Sequence, residues 1–199
     1  MVQVKISILD YGMGNIKSVI NALGSLEAEA KIIDDPNHRI EDKLIIPGVG
    51  AWGDAMNSLK SFVPGILEAV KSDISILGIC LGMQVFFEES EESPGIEGLG
   101  ILDGRVTKVK TDFDLPHIGW NSLEMKKREC PIFREIDGGF VYYANSYHVR
   151  PSNDITTAIS DYGTEMTASI WKENIYGTQF HPEKSGKLGL KILQNFLEL

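Results

Sequence analysis

Ile74-Ser75-Ile76-Leu77-Gly78-Ile79-Cys80-Leu81-Gly82 is the stretch on which the fold turns. Ile74 to Ile79 has the length and branched apolar composition of a strand buried on both faces. It runs into Gly78-Ile79-Cys80-Leu81-Gly82, which has the G-x-nucleophile-x-G form of a tight strand-to-helix turn. The glycines have a steric reason: the backbones two residues either side of the turn approach closely, and a Cβ would collide there. Such a turn lifts the thiol out of the sheet and sets it at the start of a helix, expected to carry Met83, Phe86 and Phe87. Unpaired N–H groups and the helix dipole favour thiolate there. The same residues also fit a buried cysteine between packing glycines, and a pentapeptide alone does not choose between the two.

Outward from this strand, the first half of the chain alternates strand and helix. Val4 to Leu9, Ala28 to Ile33 and Lys43 to Ile46 read as strands. Asn15 can cap a helix whose buried face is Ile16, Val19, Ile20 and Leu23, with Gly24 as its stop. Pro47-Gly48-Val49-Gly50 reads as a loop, and a helix is expected from Trp52 to Lys71 with an interruption near Pro64-Gly65. The second half is richer in strands: Gly104 to Lys110, Ser122 to Lys126, Phe140 to Val149, Thr156 to Ser160, Met166 to Trp171 and Ile175 to Phe180. A closing helix from Ser185 buries Leu188, Ile192, Leu193 and Phe196. The expectation is an α/β fold, a mixed and mostly parallel sheet with an antiparallel extension, in a single domain over residues 1–199. Glu88 to Ser93 reads as a frayed helix end and a solvated acidic loop.

Composition narrows the function. The chain has 199 residues, 43% hydrophobic and 24% charged, with a formal net charge of −9. That is enough apolar material for a core. The acidic balance argues against nucleic acid as a partner. Two cysteines do not make a disulfide framework. Lys5 and Asp10 break the N-terminal apolar run, which makes it a poor signal peptide, and no stretch reaches the roughly 20 apolar residues of a membrane helix. A soluble cytoplasmic protein is expected.

A second chemical signal is Gln179-Phe180-His181-Pro182-Glu183. Pro182 keeps His181 extended, and in an extended chain residues i and i+2 share a side. Glu183 can then accept the His181 Nδ1–H, fixing the tautomer and freeing Nε2 as a base. Taken singly, this is also what a surface His–Glu pair looks like. Cys80 and His181 are far apart in sequence, but strand ends of one α/β sheet converge on one edge. The third signal is Gly48-Val49-Gly50, where backbone N–H groups after the third strand can face a developing oxyanion, with the Leu81 N–H as a second donor. His38 and His148 read as surface or strand residues, His117 as a loop residue and Cys130 as inert. No His/Cys cluster has zinc spacing. Asp10-Tyr11-Gly12-Met13-Gly14-Asn15 lacks the nucleotide-loop patterns.

Gly78-Ile79-Cys80-Leu81-Gly82-Met83-Gln84 and Phe180-His181-Pro182-Glu183, in that order, resemble the two signatures of the class I (triad) glutamine amidotransferases. Three further stretches resemble the glutaminase subunits of imidazole glycerol phosphate synthases within that family: Asp10 to Asn15, Pro116-His117-Ile118-Gly119-Trp120-Asn121, and His181-Pro182-Glu183-Lys184-Ser185. The resemblance implies a flavodoxin-like three-layer sandwich. It implies Cys80 as nucleophile, His181 as general base and acid, Glu183 as orienter, and Val49, Gly50 and Leu81 at the oxyanion hole. Gly50, Gln84, Ser146 and Tyr147 would hold glutamine, and Asn15, Trp120, Tyr142 and Lys184 would face a (β/α)8-barrel cyclase subunit that receives ammonia. No metal or organic cofactor is implied. The sequence departs from that subfamily at Asn145, where a histidine usually precedes the Ser/Thr-Tyr pair. A glutaminase of another synthase, an elbow-cysteine peptidase or γ-glutamyl hydrolase, and a non-catalytic flavodoxin-like module stay open as alternatives.

Overall fold

Two interleaved sets of apolar residues on neighbouring strands decide the layers. The computed structural model describes residues 5–199, so Val4 of the expected first strand lies outside the described residues. In chain order the elements are β1 (Lys5–Leu9), α1 (Ile16–Gly24), β2 (Glu29–Ile33), β3 (Lys43–Gly48), α2 (Trp52–Leu59), α3 (Val63–Lys71), β4 (Ile76–Cys80) and α4 (Leu81–Gln84). Then come β5 (Glu89–Ser90), β6 (Gly104–Lys108), β7 (His117–Met125), β8 (Gly139–Asn145), β9 (Tyr147–Pro151), β10 (Thr156–Asp161), β11 (Glu165–Lys172), β12 (Ile175–Thr178) and α5 (Gly186–Leu197). Short 3-10 turns lie at Pro131–Phe133 and Pro182–Lys184. Ile6, Ile8, Ile45, Leu77 and Ile79 face one core with Val19 and Leu23 of α1 and Ile192 and Phe196 of α5. Leu9, Leu44, Ile46 and Ile76 face the other core, with Trp52 and Leu59 of α2 and Ile66 of α3. Because side chains alternate along a strand, a sheet with two apolar faces needs helices on both, and three layers result.

The large sheet has nine strands in the order β2-β1-β3-β4-β12-β11-β10-β7-β8. The strands from β2 to β12 run parallel, and β11, β10, β7 and β8 continue antiparallel. A second sheet, β5-β6-β9, covers the strand-rich half. The expected α/β architecture with an antiparallel extension is what the chain adopts.

Several local readings differ. The expected strand from Phe140 to Val149 breaks at Ser146 into β8 and β9, which belong to different sheets. The loop expected at Pro47 starts later, since β3 continues to Gly48 opposite Cys80. Pro47 is tolerated because the ladder from β3 to β1 ends at Ile45, so no N–H is missed. The helical interruption precedes Pro64, which sits in the first turn of α3, where a missing N–H costs nothing. The helix after Cys80 is a single turn ending at Gln84, so Phe86 and Phe87 lie beyond it. There the Phe86 carbonyl accepts from Ile101 and Leu102 N–H instead of from a helix. Glu88 to Ser93 is fastened, not frayed: Glu92 Oε2 accepts the Trp52 N–H at 2.7 Å and caps α2 from far away in sequence, and Ser93 Oγ takes the next, from Gly53. His117 lies within β7, buried, with its ring stacked 3.8 Å from that of Tyr162.

His148, on β9, is buried, and its Nδ1 accepts the Thr167 N–H at 3.4 Å. Burial, helped by Arg150 and opposed by Glu91, pushes its pKa down to about 4. The unfolded chain therefore binds a proton in the window between that value and the ordinary histidine pKa, and the folded chain does not. This contribution to stability is present above that window and is lost as pH falls through it. Between about pH 7 and pH 4.5 the wild type should lose about 2 kcal/mol more unfolding free energy than a His148→Leu variant. Urea titrations of both proteins measure this, and parallel pH profiles would disprove it.

Candidate active site

The C-terminal ends of β3, β4 and β12 converge at one edge of the sheet, beside the point where strand order reverses between β1 and β3. Cys80 ends β4 with φ 54° and ψ −113°, a conformation that costs an ordinary L-residue of order 1–3 kcal/mol. The surroundings enforce it. A Cβ on Gly82 would stand 1.8 Å from the Ile46 carbonyl oxygen, and one on Gly78 would stand 2.5 Å from that of Gly82. Only glycine lets the backbones of β3, β4 and α4 pack this closely, so the turn closes and the sulfur faces a cavity of about 260 Å3. That is small beside the roughly 300–1,000 Å3 typical of drug-sized ligands and suits a metabolite of amino-acid size.

The cavity wall contains Val49, Gly50, Leu81, Gln84, Ser146, Tyr147, His181 and Lys184 together with Cys80. Sequence reasoning had singled out each of them. His181 adopts the extended backbone that its following proline requires (φ −96°, ψ 97°). Its Nδ1 lies 2.8 Å from Glu183 Oε1, and the Glu183 side chain is 1% exposed. Burial alone would depress the His181 pKa. The Cys80 charge, the approach of the ring to Cys80, the Glu183 hydrogen bond and the Glu183 charge together outweigh it, and the value rises to about 10. With the sulfur ionised, the ring is held beside it as an imidazolium. Such an arrangement can form a thioester and protonate the departing group.

The loop expected to meet an oxyanion is not aligned with this pair. The Val49 N–H donates to the Met13 carbonyl at 3.0 Å, so it is turned to the Tyr11–Gly14 bend. Leu81, as the first residue of α4, has no helical partner for its N–H. Asn145 is buried at the cavity wall; its Nδ2 donates to the Tyr147 carbonyl at 3.0 Å, while Oδ1 has no partner. Asn15 caps α1 through Oδ1 and the Ser18 N–H. Trp120 and Tyr142 lie outside the cavity and meet Lys184 of its wall. The Trp120 and Tyr142 rings meet edge to face at 6.1 Å, and Lys184 Nζ lies 5.7 Å above the Tyr142 ring. Ile118 and Phe140 extend the same exposed apolar face of β7 and β8.

Two supporting residues were quoted in the sequence without a role. Ser185 Oγ donates to the His181 carbonyl at 2.7 Å and accepts the Tyr142 N–H at 3.0 Å, which ties the histidine segment to β8. Gln179 lies beside Cys80, with Nε2 3.6 Å from the sulfur. Position next to the histidine signature was the only signal for either. Among the described residues, no group of His, Cys, Asp and Glu side chains is arranged to hold a metal, and no helix is long and apolar enough to cross a membrane.

A strained cysteine elbow, a carboxylate-backed histidine and a flavodoxin-like mixed sheet define a class of thiol-dependent amidohydrolases, and the sequence comparisons agree. The chain belongs to the class-I glutamine amidotransferase family, whose sequence model matches residues 7–199. It is 43% identical to the imidazole glycerol phosphate synthase subunit HisH of Methanothermobacter thermautotrophicus, over 98% of each chain. It is 46% identical to the protein of that name from Methanocaldococcus jannaschii, over 98% of this chain and 99% of the other. Among solved structures, PurLQS from Thermotoga maritima superposes with a TM-score of 0.77 at 18% identity, covering 99% of both chains. Another, a glutamine amidotransferase, gives 0.76 at 18% identity, covering 97% of both chains. These two likenesses speak for the fold alone.

Proposed function

We propose that this chain is the glutaminase subunit of an imidazole glycerol phosphate synthase, acting as one domain over residues 1–199 in the cytoplasm. One observation carries the chemistry: the cysteine of a strained elbow shares a cavity wall with a histidine whose Nδ1 is held 2.8 Å from a buried carboxylate. The names of the most similar relatives support the choice of synthase. Two free, buried cysteines fit a reducing compartment.

The geometry supports the following reaction. The Cys80 thiolate attacks the side-chain amide carbon of glutamine, held by Gly50, Gln84, Ser146 and Tyr147. The oxyanion is met by backbone N–H groups of Leu81 and of the Val49–Gly50 loop. His181 gives its Nε2 proton to the nitrogen as the C–N bond breaks, leaving ammonia and a glutamyl thioester. The neutral ring then takes a proton from water. The hydroxide displaces sulfur, and glutamate leaves with the thiolate–imidazolium pair restored. Glu183 holds the ring throughout. Every step uses protein groups and water. Ammonia passes to a (β/α)8-barrel cyclase subunit, which makes imidazole glycerol phosphate and an aminoimidazole carboxamide ribotide. Mixing the chain with that cyclase and its ribotide substrate should make glutamine a nitrogen source for imidazole glycerol phosphate. Cleavage of γ-glutamyl peptides by the chain alone, with no response to the cyclase, would favour the hydrolase alternative.

Trp120, Tyr142 and Lys184, with Asn15, form the proposed docking face. Trp120 is 55% exposed beside Ile118 at 64% and Phe140 at 65%, an apolar patch with an aromatic anchor. Interface hot spots, in which tryptophan is enriched, cost about 2 kcal/mol when truncated, so Trp120→Ala as the central anchor should weaken cyclase binding about 30-fold in a calorimetric titration. Unchanged affinity would move the interface elsewhere.

A further inference from the structure

We infer that Gln179 positions the Cys80 sulfur and favours its thiolate form, through an amide relay anchored at the Tyr147 carbonyl; the inference rests on the reading of Cys80 as nucleophile. Gln179 is 0% exposed, so both ends of its amide require partners. Oε1 accepts from Gln84 Nε2 at 3.0 Å, and Nε2 lies 3.6 Å from Cys80 Sγ. Gln84 Nε2 also donates to the Tyr147 carbonyl at 3.0 Å. The β12–β4 register, which pairs Thr178 with Ile79, carries Gln179 to the level of the elbow.

The direction of the relay follows from one fixed point. An amide's nitrogen and oxygen can be exchanged by rotation, but a backbone carbonyl only accepts. The Tyr147 carbonyl, which also accepts from Asn145 Nδ2, can therefore be faced only by the Gln84 nitrogen. That nitrogen requires the Gln179 oxygen, and what remains for the sulfur is the Gln179 nitrogen. Turning Gln179 over would set nitrogen against nitrogen. Turning Gln84 over would set oxygen against the Tyr147 oxygen. A chain that starts at an acceptor thus ends in a donor aimed at sulfur, and a donor favours the charged form of the group it meets.

The site needs such a donor. The helix after the elbow is a single turn, so few aligned peptide dipoles support negative charge on Cys80. His181, backed by Glu183, supplies one donor. An amide at the second position donates without ever competing for the proton in transit. Tyr11 packs near the sulfur from the bend after β1, and Glu92, Lys184 and Tyr147 line the same cavity.

The test is the pH dependence of Cys80 alkylation by iodoacetamide in the full-length protein, read on the Cys80 peptide by mass spectrometry. Cys130, which is 1% exposed, reports unfolding. Gln179→Met keeps the shape and removes the donor. Its alkylation midpoint should rise by about one pH unit, which is about tenfold less thiolate below the midpoint. Gln84→Met leaves Gln179 in place but frees its amide to rotate, and should give a smaller rise. A packing role predicts no shift in either variant, and unshifted midpoints would overturn the inference. Should Gln179→Met unfold, exposing Cys130, the Gln84→Met midpoint decides alone. The readout needs no glutamine turnover, so a wrong substrate assignment would leave it standing. In the cyclase complex Gln179→Met should lower kcat with little change in the KM for glutamine; a change confined to KM would count against the role.

Discussion

A Cys80→Ala variant bound to the cyclase should lose glutamine-dependent turnover and keep turnover on added ammonium salt. Removing the nucleophile of a comparable catalytic unit costs on the order of 10⁶ in rate, because the remaining groups have nothing to activate. Alanine keeps a Cβ and meets the same backbone requirement at φ 54°, so the elbow is expected to close as before. Only Sγ disappears, and with it the charge that holds the His181 proton. Ammonium salt bypasses the thioester and needs only an intact acceptor. The two assays therefore separate chemistry from architecture. Loss of both activities would make Cys80 structural, and loss of neither would place the nucleophile elsewhere. In the variant His181 should titrate nearer the ordinary histidine range, since its largest upward influence is the cysteine charge. NMR of the ring protons would follow that titration.

Much of this site was legible because its parts obey local rules. A proline after His181 fixes an extended backbone at the histidine, but the chain turns at once into the 3-10 turn Pro182–Lys184, so the expected His181–Glu183 pair forms through that turn and not through the continued extension that the sequence suggested. Glycines at 78 and 82 are required where this strand and the next turn press against a neighbouring strand, so the close packing could be read from five letters, while the part played by the thiol needed the distant histidine signature as well. The illegible parts depend on distant partners. Glu92 looked like one acid in a solvated run, and nothing nearby in sequence says that it caps a helix beginning at Trp52. The length of α4 depended on a loop at Ile101 and Leu102 that claims a helical carbonyl. The break at Ser146 was hidden because Tyr143 to Val149 is apolar enough for one strand, and only the second sheet makes two of it. Gln179 was visible as a letter but not as a donor. Its orientation is set by Tyr147, across a register that only the folded sheet defines.

The isolated chain should release glutamate about 10²–10³-fold more slowly than the same chain bound to a ligand-loaded cyclase, the range associated with one missing oxyanion donor. The Val49 N–H is spent on the Met13 carbonyl at 3.0 Å and cannot also meet an oxyanion above Cys80. Cys80, His181 and Glu183 already lie together at one site, so on the proposed mechanism the deficit falls on a single peptide group. That group can turn: Gly50, at φ 99°, sits in a region that glycine occupies freely, and Val49 is exposed. Its present partner belongs to the bend that leads into Asn15, one of the residues proposed to face the cyclase. A partner that draws the bend away from Val49 would free the N–H without moving the triad. The loop then has two states, and the partner shifts their populations by binding one of them better. This predicts an effect on kcat with little change in the affinity of glutamine, because the other residues proposed to hold glutamine do not depend on the turn of this peptide. Assays of glutamate release with the chain alone, with empty cyclase and with ligand-loaded cyclase should give a rising series. Equal rates across the three would show that the loop does not report the partner, and a change confined to KM would place the control in glutamine binding instead.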